Sequence, residues 1–80
     1  MTYSEAIKQR ILTLCSQKDI TVNKLARLAG LTPSSVQSIV DGQSKNPKLK
    51  TLHKIAFGFD MTLSQFLDFP ELNDALRDDE

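Results

Sequence analysis

The chain has no tryptophan, one tyrosine, one histidine and one cysteine among its 80 residues. A lone Cys15 can form no internal disulfide, which agrees with a reducing compartment. Its place on an apolar stripe favours inert packing over a reactive thiol. His53 has no second histidine or cysteine pair to complete a metal site. With Leu52, Ile55 and Ala56 around it on a helix, it reads as a partly exposed structural histidine. No Gly-rich phosphate loop is present. Serine, histidine and aspartate occur, but nothing orders them into a triad, and so small a core leaves no obvious pocket. The expectation is a chain that is not an enzyme and takes no cofactor or metal.

No apolar run approaches the roughly 20 residues that a membrane span needs. The opening MTYSEAIKQR mixes acid and base where a signal peptide is apolar. A cytoplasmic protein is therefore expected. Apolar residues make up 40% and charged residues 25%, the ordinary balance of one small soluble domain.

Formal net charge is zero, which taken alone points away from nucleic acid. The average conceals a division. Residues 1–59 hold nine Lys/Arg (Lys8, Arg10, Lys18, Lys24, Arg27, Lys45, Lys48, Lys50 and Lys54) against three acids, a balance of +6. Residues 60–80 hold Arg77 against seven acids, a balance of −6. The body can face a polyanion while the acidic end turns away. The plainer reading is that both charge runs only solubilise.

Periodicity divides the body into helices. Thr2-x-x-Glu5 is a capping box for a first helix, whose inward stripe is Ile7, Ile11, Leu14 and Cys15 and which fades near Lys18-Asp19. Thr21 caps a second helix, in which Val22, Leu25, Ala26 and Ala29 share a face. Gly30 ends it where positive φ is needed. Thr32 and Pro33 then start a third helix, with Val36, Ile39 and Val40 on its apolar face. Asp41-Gly42 stops that helix, and QSKNP over 43–47 is the one clear loop. Leu49, Leu52, Ile55, Ala56 and Phe59 recur at helical spacing in a fourth helix. Gly58 inside it costs about 1 kcal/mol relative to alanine, so a close packing contact is its expected reason. Thr62-x-x-Gln65 caps a short fifth helix with Phe66 and Leu67. Pro70 closes the domain. The tail carries only Leu72, Ala75 and Leu76 at helical spacing, and reads either as a frayed helix or as a disordered end. No strand pattern is present. The expected division is 1–69 as the domain and 70–80 as an acidic C-terminal tail.

The stretch 21–42 is helix, very tight turn, helix. Such a unit can place its second helix in a DNA major groove. Here that helix turns Ser34, Ser35, Gln37 and Ser38 away from its apolar face. A plain helical hairpin with a solvated polar side has the same spacing.

Further residues carry a family likeness. Ala26, Gly30, Leu31, Val36 and Ile39 sit where phage-repressor and Cro-like regulators, the XRE family, have small, Gly, apolar, apolar and apolar residues. The Asp41-Gly42 stop, the Asn46-Pro47 loop, Leu52-His53-Lys54-Ile55-Ala56 and Met61-Thr62-Leu63-Ser64-Gln65-Phe66-Leu67 follow in the same order. Over about residues 4–69 the chain resembles that family. The resemblance implies an all-α, compact five-helix, lambda-repressor-like domain, its helix-turn-helix at helices 2 and 3.

The same resemblance implies sequence-specific binding of double-stranded DNA by a small prokaryotic or phage regulator, a repressor in particular. The recognition helix is 32–41. The base-reading set is Thr32, Pro33, Ser34, Ser35, Gln37 and Ser38, with Gln37 best suited because its amide matches adenine N6 and N7. Phosphate contacts fall to Thr21, Val22, Asn23 and Lys24 at the start of helix 2 and to Gln43, Ser44, Lys45, Asn46 and Lys48 after helix 3. Three positions depart from the pattern. Val22 replaces a glutamine that commonly holds a phosphate. Cys15 and Val40 stand where many members pair Arg with Glu, so an apolar contact replaces an ion pair. Pro33 offers no side-chain hydrogen bond.

A homodimer on DNA is expected, because one such unit buries too little to be selective. Its seam is Phe66, Leu67, Phe69, Leu72 and Leu76, unless the phenylalanines belong to the chain's own core. The rival reading keeps the fold but makes the chain a protein-interaction module, such as an antitoxin, that holds a protein partner through helix 5 and the tail. No small-molecule ligand is evident.

Overall fold

The computed structural model describes residues 1–78 and within them six helices and no strand. In order they are α1 (Tyr3–Lys18), α2 (Val22–Ala29), α3 (Pro33–Val40), α4 (Leu49–Gly58), α5 (Leu63–Leu67) and α6 (Pro70–Asp78). The all-α class is as expected, and the count of five helices is corrected to six. Pro70, expected to close the domain, opens α6, so the tail is helical over its described residues. A proline in the first helical position surrenders an N–H that has no intrahelical acceptor anyway. Glu71 in that first turn faces the positive end of the helix dipole. Residues 79 and 80 of the acidic tail lie outside the described residues.

Local chemistry sets the helix ends. Thr2 closes both halves of the capping box: its hydroxyl accepts from the Glu5 N–H at 3.3 Å, and the Glu5 carboxylate accepts from the Thr2 N–H at 2.9 Å. Thr62 and Gln65 repeat the motif at α5 with 3.1 and 2.9 Å bonds. Asp19 and Asp60 take left-handed backbone angles, φ 55° and 60°, after α1 and α4. Aspartate is among the few side chains that tolerate this region, so short connections suffice.

One apolar cluster joins the helices. Ile7, Ile11, Leu14 and Cys15 of α1, Leu25 and Ala26 of α2, Val36 and Ile39 of α3 and Ile55 and Ala56 of α4 are all buried in it. Phe59 and Phe66 stack within it, their ring centroids 6.2 Å apart. Ala75 brings α6 into the same cluster, and α6 packs along α1. Burial pushes the Cys15 thiol up from its ordinary pKa, so the reactive thiolate is disfavoured. Cys15 lies in this cluster and the partly buried Val40 packs against it, in keeping with apolar packing at these two positions. Leu49, in the first turn of α4, departs from the expected stripe: it is 64% exposed.

Phe66 and Phe69, expected in a dimer seam, are 0% and 6% exposed within a single chain. Their surface is already withdrawn from water, so neither is left to cover a second copy. Leu67 and Leu72 are half-buried, and the side chain of Leu76 lies outside the described residues.

Gly58 has the packing reason the sequence implied. A Cβ there would lie 3.0 Å from Leu25 Cδ1, 3.1 Å from Ala29 Cβ and 3.1 Å from the Ala29 backbone nitrogen. α2 can cross α4 this closely only over a bare backbone. Gly58→Ala is expected to destabilise the chain by about 1–3 kcal/mol in urea unfolding, because the clash outweighs alanine's helix preference. A gain in stability would show that α2 and α4 can separate freely.

Candidate nucleic-acid interface

The turn between α2 and α3 is built by three residues. Gly30 adopts φ 71°, and its N–H donates to the Arg27 carbonyl at 3.2 Å. The Leu31 N–H donates back to the Ala26 carbonyl at 2.9 Å. Together these satisfy the last carbonyls of α2 and turn the chain sharply. Thr32 then caps α3, its hydroxyl accepting from the Ser35 N–H at 3.4 Å, and Pro33 occupies the first turn.

α3 has only eight residues, about 12 Å of helix. That is far too short to persist in water alone. Val36 and Ile39, 0% and 2% exposed, pin it to the core. Its opposite side is therefore presented outward. Thr32, Pro33, Ser34, Ser35 and Gln37 are exposed, and Ser38 is half-buried. The hydroxyls of Ser34 and Ser35 lie 3.3 and 2.7 Å from that of Thr32, a polar cluster at the helix start. Each hydroxyl can donate and accept at once, so the cluster keeps capacity toward a further partner. Gln37 donates from Nε2 to Asp41 Oδ1 at 2.9 Å.

The loop after α3 folds back on the helix end. The N–H groups of Gln43 and Ser44 both donate to the Ser38 carbonyl, at 2.9 and 3.0 Å. A shallow groove of about 450 Å³ results, lined by Ser35, Ser38, Ser44, Asn46, Lys48 and Thr51 among others. Two of the expected base readers thus share one concavity with three of the expected phosphate contacts. Thr51 joins them unanticipated. Its signal was its place in the first turn of α4, three residues after Lys48. Gln37, Pro33 and Ser34 lie on α3 outside this groove, and Lys45 lines neighbouring hollows with Tyr3 and Asn46.

At the start of α2 the Thr21 hydroxyl accepts from the Lys24 N–H at 3.0 Å. That donor is thereby taken, and Lys24 can contribute only its exposed ammonium. The N–H groups of Val22 and Asn23 precede the first intrahelical bond, from the Leu25 N–H to the Thr21 carbonyl. They are the donors this helix start offers to an anion. Val22 packs its side chain against the core and makes no polar reach.

Arg10 is a correction to the charge count. Its Nε donates to the Phe66 carbonyl and Nη2 to the Gln65 carbonyl, both at 2.9 Å. Its guanidinium also lies 5.0 Å over the Phe69 ring. Arg10 therefore ties α1 to the C-terminal carbonyls of α5 and is not spare charge for a polyanion.

No helix among the described residues is long and apolar enough to cross a membrane, and no group of three or more His, Cys, Asp and Glu among them could hold a metal ion. The family of Cro/C1-type HTH DNA-binding domains matches the chain over residues 10–71. No curated protein and no solved structure matches it.

The division between structural and solvent-facing cations is measurable. Arg10→Ala should lower stability by about 1.5–3 kcal/mol, the range for hydrogen bonds from a charged donor. Lys45→Ala should leave stability within about 0.5 kcal/mol. Equal urea midpoints for the two variants would contradict the clamp assigned to Arg10.

Proposed function

The chain belongs to the Cro/C1-type helix-turn-helix DNA-binding domain family, and from that premise we propose a small prokaryotic or phage repressor that reads its operator with α3. As a member of that family it is a DNA-binding domain of a transcription regulator. The finer reading is that α3 enters the major groove, whose width of about 12 Å admits a helix. The observation that carries it is the groove linking Ser35 and Ser38 of α3 to Ser44, Asn46 and Lys48. A surface that joins base-edge donors to phosphate anchors in one concavity suits a duplex, whose base edges lie between two phosphate rails.

Roles divide accordingly. Gln37 and the exposed face of Thr32, Pro33, Ser34, Ser35 and Ser38 face base edges. The N–H groups of Val22 and Asn23, the ammonium groups of Lys24, Lys45 and Lys48, and Gln43, Ser44 and Asn46 face phosphates. Two copies act on one operator, because a single short helix gives too little discrimination in a genome. With Phe66 and Phe69 internal, Leu67 and Leu72 are the remaining described members of the proposed seam. A regulator of this kind works in the cytoplasm, where its DNA lies.

The test begins with selection from a random duplex library. Gln37→Ala should then weaken the selected operator by about 1–3 kcal/mol more than random DNA. Lys45→Ala should weaken all duplexes alike and reduce the salt slope by about one phosphate contact. Equal effects of both variants on operator and random DNA would end the division into readers and anchors. Sedimentation with a duplex carrying two half-sites should find two copies bound, and one copy per duplex would remove the dimer.

A further inference from the structure

The Gln37–Asp41 pair has a property that neither side chain has alone. We propose that Asp41 is a positioning residue that fixes Gln37 as a reader of adenine and bars it from guanine. The inference rests on the reading of α3 as the recognition helix.

A free glutamine amide rotates about its last torsion and can present either end to a base. Asp41 removes that freedom. A carboxylate only accepts, so it can bond the amide nitrogen and never the amide oxygen. The 2.9 Å contact from Gln37 Nε2 to Asp41 Oδ1 holds the nitrogen against the carboxylate. The carboxylate also repels Gln37 Oε1, so the N–H it takes is the one pointing away from that oxygen. What remains for a base is Oε1 and the second N–H, side by side.

An acceptor beside a donor is the complement of adenine, which offers a donor at N6 and an acceptor at N7. Guanine offers two acceptors, N7 and O6. Against guanine, Oε1 meets O6 with like charge, and the nearby carboxylate adds to the repulsion. The pair thus selects partly by what it rejects.

Local helix energetics do not call for an acid at this position. Asp41 is the C-cap of α3, where a negative charge opposes the helix dipole, and no basic residue stands in the last turn of α3 to offset it. Both Asp41 and Gln37 are exposed. The spacing of four residues puts the two side chains on one helix face, where they can meet.

The experiment compares the wild-type chain with Q37A, D41A and D41N on the selected operator and on duplexes with guanine in place of each adenine. The wild type should prefer adenine by roughly 5- to 150-fold at one position, and Q37A should lose that preference. D41A should lose most of it as well, while binding random duplex somewhat more tightly because a negative charge is gone. D41N carries a donor as well as an acceptor and can hold either end of the Gln37 amide, so it should lose the adenine preference as D41A does while retaining the gain on random duplex. A purely structural role for Asp41 would move affinity for every duplex together and leave the base preference intact. Adenine preference kept in D41A or in D41N but lost in Q37A overturns this inference alone. Adenine preference kept in Q37A overturns the reader assignment itself, and this inference with it.

Discussion

The structure depends on the burial of Val36 and Ile39 beneath an eight-residue helix. α3 cannot hold its own shape in water, so its conformation is borrowed from the core. That core must accept Val36, Ile39 and the partly buried Val40 from one side of α3 and nothing from the other. The tight Gly30 turn makes this possible, since it lets α2 and α3 dock on one cluster without a long connection. Gly58 contributes from the other side of α2 by letting α4 approach to backbone contact. The outward polar face of α3 is thus a consequence of packing. Its serines and glutamine are presented because its apolar anchors leave it no other orientation.

Charge works differently from burial here. Counting Lys and Arg along residues 1–59 gives a positive body, but position decides what each cation does. Arg10 spends its guanidinium on the last carbonyls of α5 and the face of Phe69. Lys45 and Lys48 stay exposed beside the polar loop. The two uses share a formal charge and differ in desolvation. A partly buried arginine with fixed partners supports the fold, whereas an exposed lysine remains available to a polyanion. The same distinction separates Lys24, whose N–H serves the Thr21 cap, from Val22 and Asn23, whose N–H groups still face outward.

The acidic segment is tied to the domain by its apolar residues. α6 runs along α1 and buries Ala75 in the common cluster, with Leu72 against its edge. This placement also explains why Phe69 is internal: α1 and α6 flank it, and Arg10 lies over its ring. A tail that looked separable by charge is joined to the body by packing. Net charge informs on partners and solubility, and packing decides which helices touch.

Much of the fold was legible because it is written in short-range contacts. Capping by Thr2, Thr21, Thr32 and Thr62 spans three residues, and the apolar stripes of α1 to α4 repeat every three or four. Such interactions lie within one helical turn, so spacing alone determined them. The Gln37–Asp41 bond is equally local and was open to the same reading, being a pair four residues apart. Tertiary structure alone decided the rest. Arg10 meets Gln65 and Phe66 across more than fifty positions of chain, Phe66 and Phe69 turn inward, and Ser35 shares a groove with Thr51. These depend on which helix lies beside which. A periodic pattern states that a face is apolar, but only the packed neighbours determine what covers it.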